Sequence, residues 1–310
     1  MTEPAIRIQG LKKTYRDRQT RAEKVALHGI DLDIPRGSFF GLLGPNGAGK
    51  STIINILAGT VLKSEGSVTI EGADISRARK RASLNIGIVP QELVLDTFFT
   101  VRQALEITAG YYGIPKEKRR TDEIIAAMGL SDKADQPSRR LSGGMRRRLL
   151  IGKALVHNPP VLVLDEPTAG VDVELRRSLW KYVRELNQRG TTILLTTHYL
   201  EEAEELCDEI AIINHGKIIR HEKKDALMRG VDSKKVTFTF TEPATSVPAT
   251  LAGLDASVAA GKLIVNYQPS KAQIGEILQK VCDAGFKIQD LSTQEVDLED
   301  LFVSLTSSAA

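Results

Sequence analysis

A glycine-rich loop directly before an apolar helical run constrains this chain most. Residues 44–52 read Gly-Pro-Asn-Gly-Ala-Gly-Lys-Ser-Thr and match the pattern G-x-x-x-x-G-K-[ST] without a gap. The apolar run at 39–43 predicts a short buried strand before the loop, and residues 51–58 predict a helix that stops at Gly59. This order of strand, loop and helix is the setting in which such a loop binds the phosphates of a nucleoside triphosphate.

The residue types in this loop suit a polyphosphate for physical reasons. Glycine has no side chain, so Gly44, Gly47 and Gly49 let backbone N–H groups approach phosphate oxygens closely. Lys50 would place a positive charge on the β- and γ-phosphates, and Ser51 would place a hydroxyl on Mg²⁺. A glycine-rich turn with an exposed lysine is the alternative, and it requires the pattern and both flanks to coincide by accident. The residues expected to contact the nucleotide here are Gly44, Pro45, Asn46, Gly47, Ala48, Gly49, Lys50, Ser51 and Thr52.

Two adjacent carboxylates follow a second apolar strand. Residues 161–164 form a continuous apolar run, and Asp165 and Glu166 come directly after it. Ligands of open α/β sheets bind at the carboxyl ends of parallel strands, so both carboxylates are expected beside the nucleotide. We expect Asp165 to support Mg²⁺ and Glu166 to polarise an attacking water as a general base. The alternative is a solvated turn, which Pro167 would also suit.

A serine and two glycines open a helix between these two motifs. Ser142 is a natural N-cap for the helical pattern at 146–157, and Gly143 and Gly144 leave backbone N–H groups open to an anion. By itself such a cap is commonplace. Its position in the chain, after the phosphate loop and before the carboxylates, favours a functional role for this helix start.

Composition indicates the class of protein and its compartment. The 310 residues are 42% hydrophobic and 26% charged, which suits a soluble globular chain with one large core and one smaller core. No apolar run approaches the roughly 20 residues of a membrane helix, and the first residues lack the apolar core of a signal peptide. We therefore expect a cytoplasmic protein, with Cys207 and Cys282 as reduced thiols.

The charge pattern gives no argument for a nucleic-acid partner. The formal net charge is only +3. Residues 77–81 and 146–148 are local basic clusters, but no aromatic residues interleave with them as they do on a base-stacking surface. We interpret each cluster as a solvated helix face.

Strand and helix patterns alternate along the chain. A helical insertion is expected at about 101–156, and a helix at about 175–188 lies between two buried strands. Smaller patterns after a linker at 232–235 predict a separate α+β domain at 231–310, beyond a larger domain at 1–230. The strands predicted for the larger domain lie at 6–9, 30–34, 39–43, 67–70, 86–89, 161–164, 192–195, 210–213 and 217–219.

These motifs, in this order, resemble the nucleotide-binding subunit of ABC transporters over about residues 5–220. The resemblance implies an α/β fold, that of a P-loop NTPase of the ABC ATPase type. This fold has a mixed sheet core, an N-terminal antiparallel β part and a helical insertion, and the small C-terminal α+β domain follows it. The residues that carry the resemblance are Gly44–Ser51, Gln91, Leu141–Gly144, Val161–Glu166, Asp172 and His198.

The resemblance implies roles for residues that the spacing alone leaves unassigned. Gln91 would reach both Mg²⁺ and the attacking water, and His198 would hold the γ-phosphate and Glu166 in register. Tyr15 would stack on the adenine of ATP, with Val25 packed beside it. The expected catalytic set is then Glu166, His198, Gln91 and Lys50, and the expected magnesium ligands are Ser51, Gln91 and Asp165.

The signature segment, Leu141–Gly144, would act on a second copy of the chain. In the family, Ser142, Gly143 and Gly144 of one subunit close over the ATP bound by the other, and Asp172 links the two halves of this head-to-tail dimer. Hydrolysis would therefore need the dimer. Met145 departs from the family, which most often has glutamine at this position. A thioether cannot donate a hydrogen bond, so Met145 cannot make the polar contacts that a glutamine could make there.

Residues 145–149 and 197–203 resemble the branch that serves ABC-2-type exporters. The branch implies an ATP-driven export subunit, peripheral on the inner face of the cytoplasmic membrane, with a separate integral membrane permease of the ABC-2 type. Alternatives are a soluble ABC ATPase that acts on ribosomes or DNA, and a subunit that energises an importer. For the C-terminal domain, pairing between tails, regulation of the ATPase and a purely stabilising role are all alternatives.

Two further segments carry expectations about surfaces. Residues 92–101 lie where the family receives its permease, and their apolar side chains suit a docking groove, although core packing explains some of them equally well. The polar stretch at 16–24 is longer than a tight hairpin needs, and we expect it to be a surface excursion near the adenine.

Overall fold

Two units of structure, residues 1–224 and 225–310, follow each other along the chain, and their boundary lies a few residues before the predicted one. The computed structural model describes residues 3–17, 20–92, 94–168, 173–197, 199–229, 234–251, 253–269, 271–295 and 302. Among the predicted site residues, Asp172 and His198 lie outside these ranges. The helix predicted at 298–305 lies outside them too, apart from Phe302.

The first unit alternates strands and helices as expected. Its strands are β1 (Ile6–Arg16), β2 (Glu23–Ile34), β3 (Phe39–Leu43), β4 (Glu65–Ile70), β5 (Ala73–Asp74), β6 (Ile86–Val89), β7 (Val161–Asp165), β8 (Thr192–Thr197), β9 (Glu209–Asn214) and β10 (Lys217–Lys223). Its helices are α1 (Lys50–Leu57), α2 (Arg79–Leu84), α3 (Val101–Tyr111), α4 (Thr121–Ala127), α5 (Gly143–Leu155), α6 (Val173–Gln188) and α7 (Leu200–Leu206), and α8 (Lys224–Arg229) begins at its last residue.

A six-stranded mixed sheet forms the centre of this unit, in the order β10-β9-β3-β8-β7-β6. The pairs from β9 to β6 are parallel, and β10 closes the edge as an antiparallel hairpin with β9. All residues of β3 and β7 are buried, as expected for strands covered on both faces. The carboxyl ends of β3, β6 and β7 therefore meet at one edge of the sheet, and each is followed by a motif residue.

A second sheet of the first unit is antiparallel, in the order β2-β1-β4-β5. Pairing of β1 with β2 continues as far as Arg16 and Glu23. The surface excursion predicted at 16–24 is therefore shorter than expected, because Arg16, Glu23 and Lys24 belong to the paired strands of the hairpin. This sheet confirms the N-terminal antiparallel part of the predicted fold.

The helical insertion lies between β6 and β7 and contains α3, α4 and α5. Thr100 begins α3 with a capping box in which its side chain accepts from the Gln103 N–H and the Gln103 side chain accepts from the Thr100 N–H. Ser142 begins α5, because its Oγ accepts a hydrogen bond from the N–H of Met145 at 3.3 Å. Within the described part of the chain, no helix is both long and apolar enough to cross a bilayer.

The second unit is a small α+β fold built on a four-stranded antiparallel sheet. Its strands lie in the order Asp255–Ala259, Lys262–Tyr267, Lys234–Phe240 and Ile288–Glu295, and one helix packs on the sheet through Ile277 and Val281, which are buried against Phe238 and Val265. Lys234 and Lys235, predicted to belong to a linker, are part of its first strand because they pair with neighbours on both sides. The elements are β11 (Lys234–Phe240), β12 (Asp255–Ala259), β13 (Lys262–Tyr267), α9 (Ile274–Asp283) and β14 (Ile288–Glu295).

Candidate nucleotide-binding site

One cleft of the first unit, with a volume of about 530 Å³, brings together most of the residues that the sequence marks. It is bounded by the loop between β3 and α1, by the ends of β6 and β7, and by the two hairpins β1–β2 and β9–β10. The predicted site residues that line it are Tyr15, Val25, Pro45, Asn46, Gly47, Ala48, Gly49, Lys50, Ser51, Thr52, Gln91 and Glu166.

The phosphate loop, residues 44–52, needs its glycines for two different reasons. A Cβ on Gly44 would lie 2.3 Å from the carbonyl oxygen of Ile213, so the strand β9 leaves no space for a side chain there. Gly47 and Gly49 have φ values of 81° and 117°, which other residues rarely adopt. Gly49 is also the residue before α1, so the loop ends with free backbone N–H groups at the start of a helix.

The Lys50 side chain lies within the loop and is only 5% exposed. Its Nζ donates to the carbonyl oxygens of Gly44 at 2.6 Å and Pro45 at 3.2 Å. Burial lowers the pKa of Lys50, and the charges of Glu166 and Asp165 oppose that shift. Both carboxylates therefore act electrostatically on the ammonium group.

The two carboxylates at the end of β7 are both buried, which excludes the solvated turn. Asp165 is 9% exposed and Glu166 is 7% exposed. Oδ1 of Asp165 accepts a hydrogen bond from Thr196 Oγ1 at 2.6 Å, and the parallel register of β7 and β8 places these two residues side by side. Desolvation raises the pKa of Asp165, and it is opposed mainly by the bond from Thr196 and then by the positive charge of Lys50. Thr196 was not among the site residues predicted from the sequence.

Glu166 has an unusual backbone conformation, with a φ of 44°. For a residue with a side chain this left-handed conformation is strained, and such strain is common at functional sites. The N–H of Glu166 donates to the carbonyl oxygen of Thr196 at 3.0 Å, which holds the turn. Its side chain accepts a hydrogen bond from Nε2 of Gln91 at 2.9 Å.

Tyr15 and Val25 form the outer wall of the cleft at the end of the β1–β2 hairpin. Their side chains are 39% and 45% exposed, which is high for apolar groups and leaves a surface on which a base could stack. The ammonium of Lys13 lies 4.8 Å from the centre of the Tyr15 ring. Nζ of Lys13 also donates to the carbonyl oxygen of Leu62 at 2.8 Å, so this contact fixes one face of the ring.

The turn of the β9–β10 hairpin also lines the cleft, although it was not among the site residues predicted from the sequence. The N–H of Gly216 donates to the carbonyl oxygen of Ala48 at 2.8 Å, and its own carbonyl accepts from the N–H of His28 at 3.0 Å. A Cβ on Gly216 would lie 2.4 Å from the carbonyl oxygen of Ala26. The turn thus supports the phosphate loop from outside, and the Asn-His-Gly sequence at 214–216 was the available signal. The lining residues that were not predicted are Lys24, Ala26, His28, His215 and Gly216.

The signature segment does not belong to this cleft. Among the described residues that line it, none comes from 141–144. Ser142 and Gly143 are exposed at the start of α5, and a Cβ on Gly143 would have no heavy atom within 4 Å. The N-terminus of α5 is therefore open to a ligand, but to one that lies outside the cleft of the same chain.

The interpretation of residues 146–148 as a solvated helix face is wrong for Arg147. This side chain is only 5% exposed, and its guanidinium donates to the backbone carbonyls of Pro90 and Gln91. Arg148 is half-buried and donates to the carbonyl of Met128 at 2.9 Å. Backbone carbonyls supply the acceptors that allow these charged groups to leave water.

The fold and this site define a phosphate-loop nucleoside triphosphatase with a helical insertion in its α/β core. Residues 27–169 match the family model described as ABC transporter. The chain is 36% identical over 310 residues to Nod factor export ATP-binding protein I of Ralstonia nicotianae, which covers 98% of this chain and 94% of that protein. It is 34% identical to linearmycin resistance ATP-binding protein LnrL of Bacillus subtilis, over 97% of this chain and 98% of the relative.

A solved structure of an ATP-binding cassette is also similar to this chain. The dimeric, post-hydrolysis ATP-binding cassette MJ0796, bound to ADP and Pi, matches with a TM-score of 0.64 and 27% identity, over 70% of this chain and 98% of that chain. This chain belongs to the ABC transporter family as one of its ATP-binding proteins, and it is an ATPase on the branch of the ABC-2-type exporters. The relatives favour this assignment over a ribosomal, DNA-directed or importer function.

Proposed function

We propose that this chain hydrolyses MgATP in a head-to-tail dimer with a second copy and thereby drives export through a separate ABC-2-type permease. The single observation that carries the proposal is the separation of two halves of a site within one chain. The phosphate loop, Gln91 and Glu166 share one cleft, whereas Ser142 and Gly143 lie exposed outside it. A second copy placed head to tail would bring its signature segment over this cleft.

The predicted site residues have separate roles in the proposed reaction. Lys50 holds the β- and γ-phosphates, and the backbone N–H groups of the phosphate loop surround them. Glu166 accepts a proton from the attacking water as the general base, and Gln91 holds the Glu166 carboxylate and the water in place. Adenine stacks on Tyr15 beside Val25. His198 and Asp172 are proposed, from the family pattern, to hold the γ-phosphate and the dimer contact.

The residues of the cleft fit a magnesium ion. Mg²⁺ prefers oxygen ligands and is usually held by one or two protein groups together with phosphates and water. Ser51 and Gln91, which line the cleft, offer a hydroxyl and an amide oxygen. Asp165 does not line the cleft, but at the end of β7, directly before the lining residue Glu166, it offers a carboxylate that Thr196 orients at 2.6 Å. When bound, the ion neutralises phosphate charge.

The proposed permease contact lies on the segment after Gln91. Val94 and Phe98 are 65% and 78% exposed, although both are apolar. The segment ends against the insertion, because Ser138 donates to the carbonyl oxygen of Phe99 from both its N–H and its Oγ at 2.9 Å. An apolar surface that is fixed on one side and open on the other suits a partner of matching shape.

The cellular arrangement follows from this assignment. We infer that the subunit is peripheral on the inner face of the cytoplasmic membrane, where the permease would hold it. The relatives are named for export of a Nod factor and for resistance to linearmycin and to daunorubicin, which supports outward transport for this chain.

A mixing experiment tests whether each ATP site combines the phosphate loop of one chain with the signature segment of the other. Lys50→Ala damages the phosphate loop, and Gly143→Asp damages the signature segment, so each variant alone has two defective sites per dimer. In a mixed dimer one site carries both defects and the other carries neither. An equimolar mixture of the full chains should therefore recover up to about a quarter of the wild-type ATPase rate. Recovery of no activity on mixing, with both variants folded, would contradict the head-to-tail arrangement.

A further inference from the structure

Helix α5 and the segment just after it hold strand β6 at both of its ends. At the carboxyl end, Nη1 of Arg147 donates to the carbonyl oxygen of Pro90 at 2.7 Å, and Nη2 donates to that of Gln91 at 2.8 Å. At the amino end, Nε2 of His157 is 3.0 Å from the carbonyl oxygen of Ile86. Strand β6 and the residues that follow it are therefore joined to α5 by Arg147, near the start of the helix, and to the segment just after α5 by His157.

Close packing joins the helix and the strand between these two contacts. A Cβ on Gly87 would lie 2.3 Å from the carbonyl oxygen of Ala154, so the backbones of β6 and α5 touch directly. Packed backbones of this kind move together because no side chain lies between them to adjust. Strand β6 is thus in direct backbone contact with α5 at Gly87.

The position of Arg147 connects two functional groups of the proposed site. It lies one helical turn after Gly143, in the helix that begins with the signature segment. Its guanidinium holds the backbone of Gln91, whose side chain donates to Glu166. Arg147 therefore connects the signature segment, which would face the partner's nucleotide, with Gln91, which holds the proposed general base Glu166.

The chemistry of this contact selects arginine. The planar guanidinium can donate to two successive carbonyls at once, whereas the ammonium of lysine acts as a point charge without this fork. None of the ion pairs within the described ranges includes Arg147, so its partners there are the two carbonyls. Burial lowers the pKa of Arg147, and the charge of Asp165 opposes the shift. The positive charge of Arg147 therefore acts on Asp165 at the carboxyl end of β7.

We propose that Arg147 is a positioning residue that ties Gln91 to the signature helix. A displacement of α5 on contact with the partner's nucleotide is then transmitted to Gln91, and through it to Glu166. The two ATP sites of the dimer are coupled by this route. The inference rests on the proposed function for the roles of Gln91, Glu166 and the signature segment.

Arg147→Met tests the proposal, because it keeps much of the apolar volume and removes the donors. We expect kcat for ATP to fall about tenfold or more with KM changed little, as for a displaced catalytic group. Arg147→Lys should retain part of kcat, because it keeps the charge and one donor. Arg148→Met is the matched control, since Arg148 is an arginine of the same helix that donates to the carbonyls of Met128 and Gly129 instead.

A double-mutant cycle separates positioning from a general loss of structure. In a Gln91→Ala background, Arg147→Met should lower kcat no further, whereas any loss from Arg148→Met should be the same in both backgrounds. If Arg147→Met does not fold, the same cycle with Arg147→Lys decides. Wild-type kcat in the Arg147 variants, or losses that multiply with Gln91→Ala, would overturn the inference. Wild-type kcat in Gln91→Ala itself would instead contradict the proposed role of Gln91.

Discussion

Nε2 of Gln91 donates a hydrogen bond to Oε2 of Glu166 at 2.9 Å, although 75 residues separate the two along the chain. Each residue follows a strand of the central sheet, and β6 and β7 are parallel neighbours, so the strand ends place them together. Glu166 is held further by its N–H bond to Thr196, which helps to maintain its strained backbone conformation. The site thus fixes the proposed general base from two sides, through its backbone and through its carboxylate.

Glu166→Gln should preserve nucleotide binding and stop turnover. Glutamine has nearly the same shape, and it can still accept a hydrogen bond from Gln91, but it cannot take a proton from water. We expect kcat to fall about 10²-fold or more, while the Kd for ATP changes little. Steady-state ATPase assays and nucleotide titration of the full chain measure the two quantities.

Glu201→Gln is the control for this substitution. Glu201 is a carboxylate of α7 whose side chain is 83% exposed and whose ion pair with Arg176 is long, at 3.8 Å. It should retain wild-type turnover. Turnover close to wild type in Glu166→Gln would remove Glu166 from the role of general base.

Lys50→Ala should weaken binding as well as catalysis. The lysine is almost fully buried in the phosphate loop, so its loss removes both the charge that faces the phosphates and the hydrogen bonds to Gly44 and Pro45. We expect the Kd for ATP to rise about tenfold or more. Lys63→Ala removes a comparable bond from a half-buried lysine outside the cleft to the carbonyl of Gly66 and should leave the Kd unchanged. Equal Kd values for the two variants would exclude Lys50 from the nucleotide site.

The parts of the fold that the sequence predicted well are those in which neighbouring residues carry the signal. The phosphate loop is contiguous, and its flanks are a fully buried strand and a helix with one apolar face, so both elements lie where the pattern predicts them. Strand β12 was not predicted, since Asp255–Ala259 contains mostly small and polar residues of low β-propensity. It forms because every residue pairs with β13, which is a tertiary effect.

The parts of the site that were missed depend on contacts between distant segments. Three consecutive arginines at 146–148 are alike in sequence, and only the position of β6 decides that Arg147 is the one buried against a carbonyl pair. In the same way, Gly216 supports the phosphate loop through a bond to Ala48, which no local pattern indicates. Thr196 holds Asp165 because the register of two parallel strands pairs them.

Gly143→Ala should impair ATP-dependent dimerisation without impairing the folding of the chain. A Cβ at Gly143 has open space around it, and alanine favours a helix more than glycine does, so the chain should fold as stably as before. If the partner's ATP approaches this backbone closely, the added methyl group will obstruct it. We expect the ATPase rate and the ATP-dependent dimer fraction, measured by sedimentation, to fall about tenfold.

Gly275→Ala is the matched control for Gly143→Ala. Gly275 is likewise near the start of a helix, and a Cβ there also has no heavy atom within 4 Å, but it lies in the second unit. It should leave both the rate and the dimer fraction unchanged. A Gly143→Ala chain that dimerises and turns over like wild type would show that no nucleotide closes on this residue.

His157 should make the stability of the chain depend on pH between about 5 and 7. Its ring stacks on Tyr112 with 3.7 Å between centres, and its Nδ1 is buried with no hydrogen-bond partner among the described residues. Desolvation lowers the pKa of His157, and the bond to the Ile86 carbonyl opposes the shift only in part. The folded chain therefore binds this proton more weakly than the unfolded chain does. The contribution of His157 to stability is complete at pH values above its pKa in the unfolded chain, about 6.5, and is lost as the pH falls below that pKa.

His157→Phe keeps a flat ring against Tyr112 and removes the titrating group. Between pH 7.5 and 5.5 the wild-type free energy of unfolding, measured with urea, should fall further than that of the variant. The difference should not exceed about 1 kcal/mol, since part of the ring contacts solvent. Tyr112→Phe keeps both the stack and the histidine, so it should follow the wild-type pH dependence. Identical pH dependence in wild type and His157→Phe would mean that His157 is protonated equally in the folded and unfolded chains.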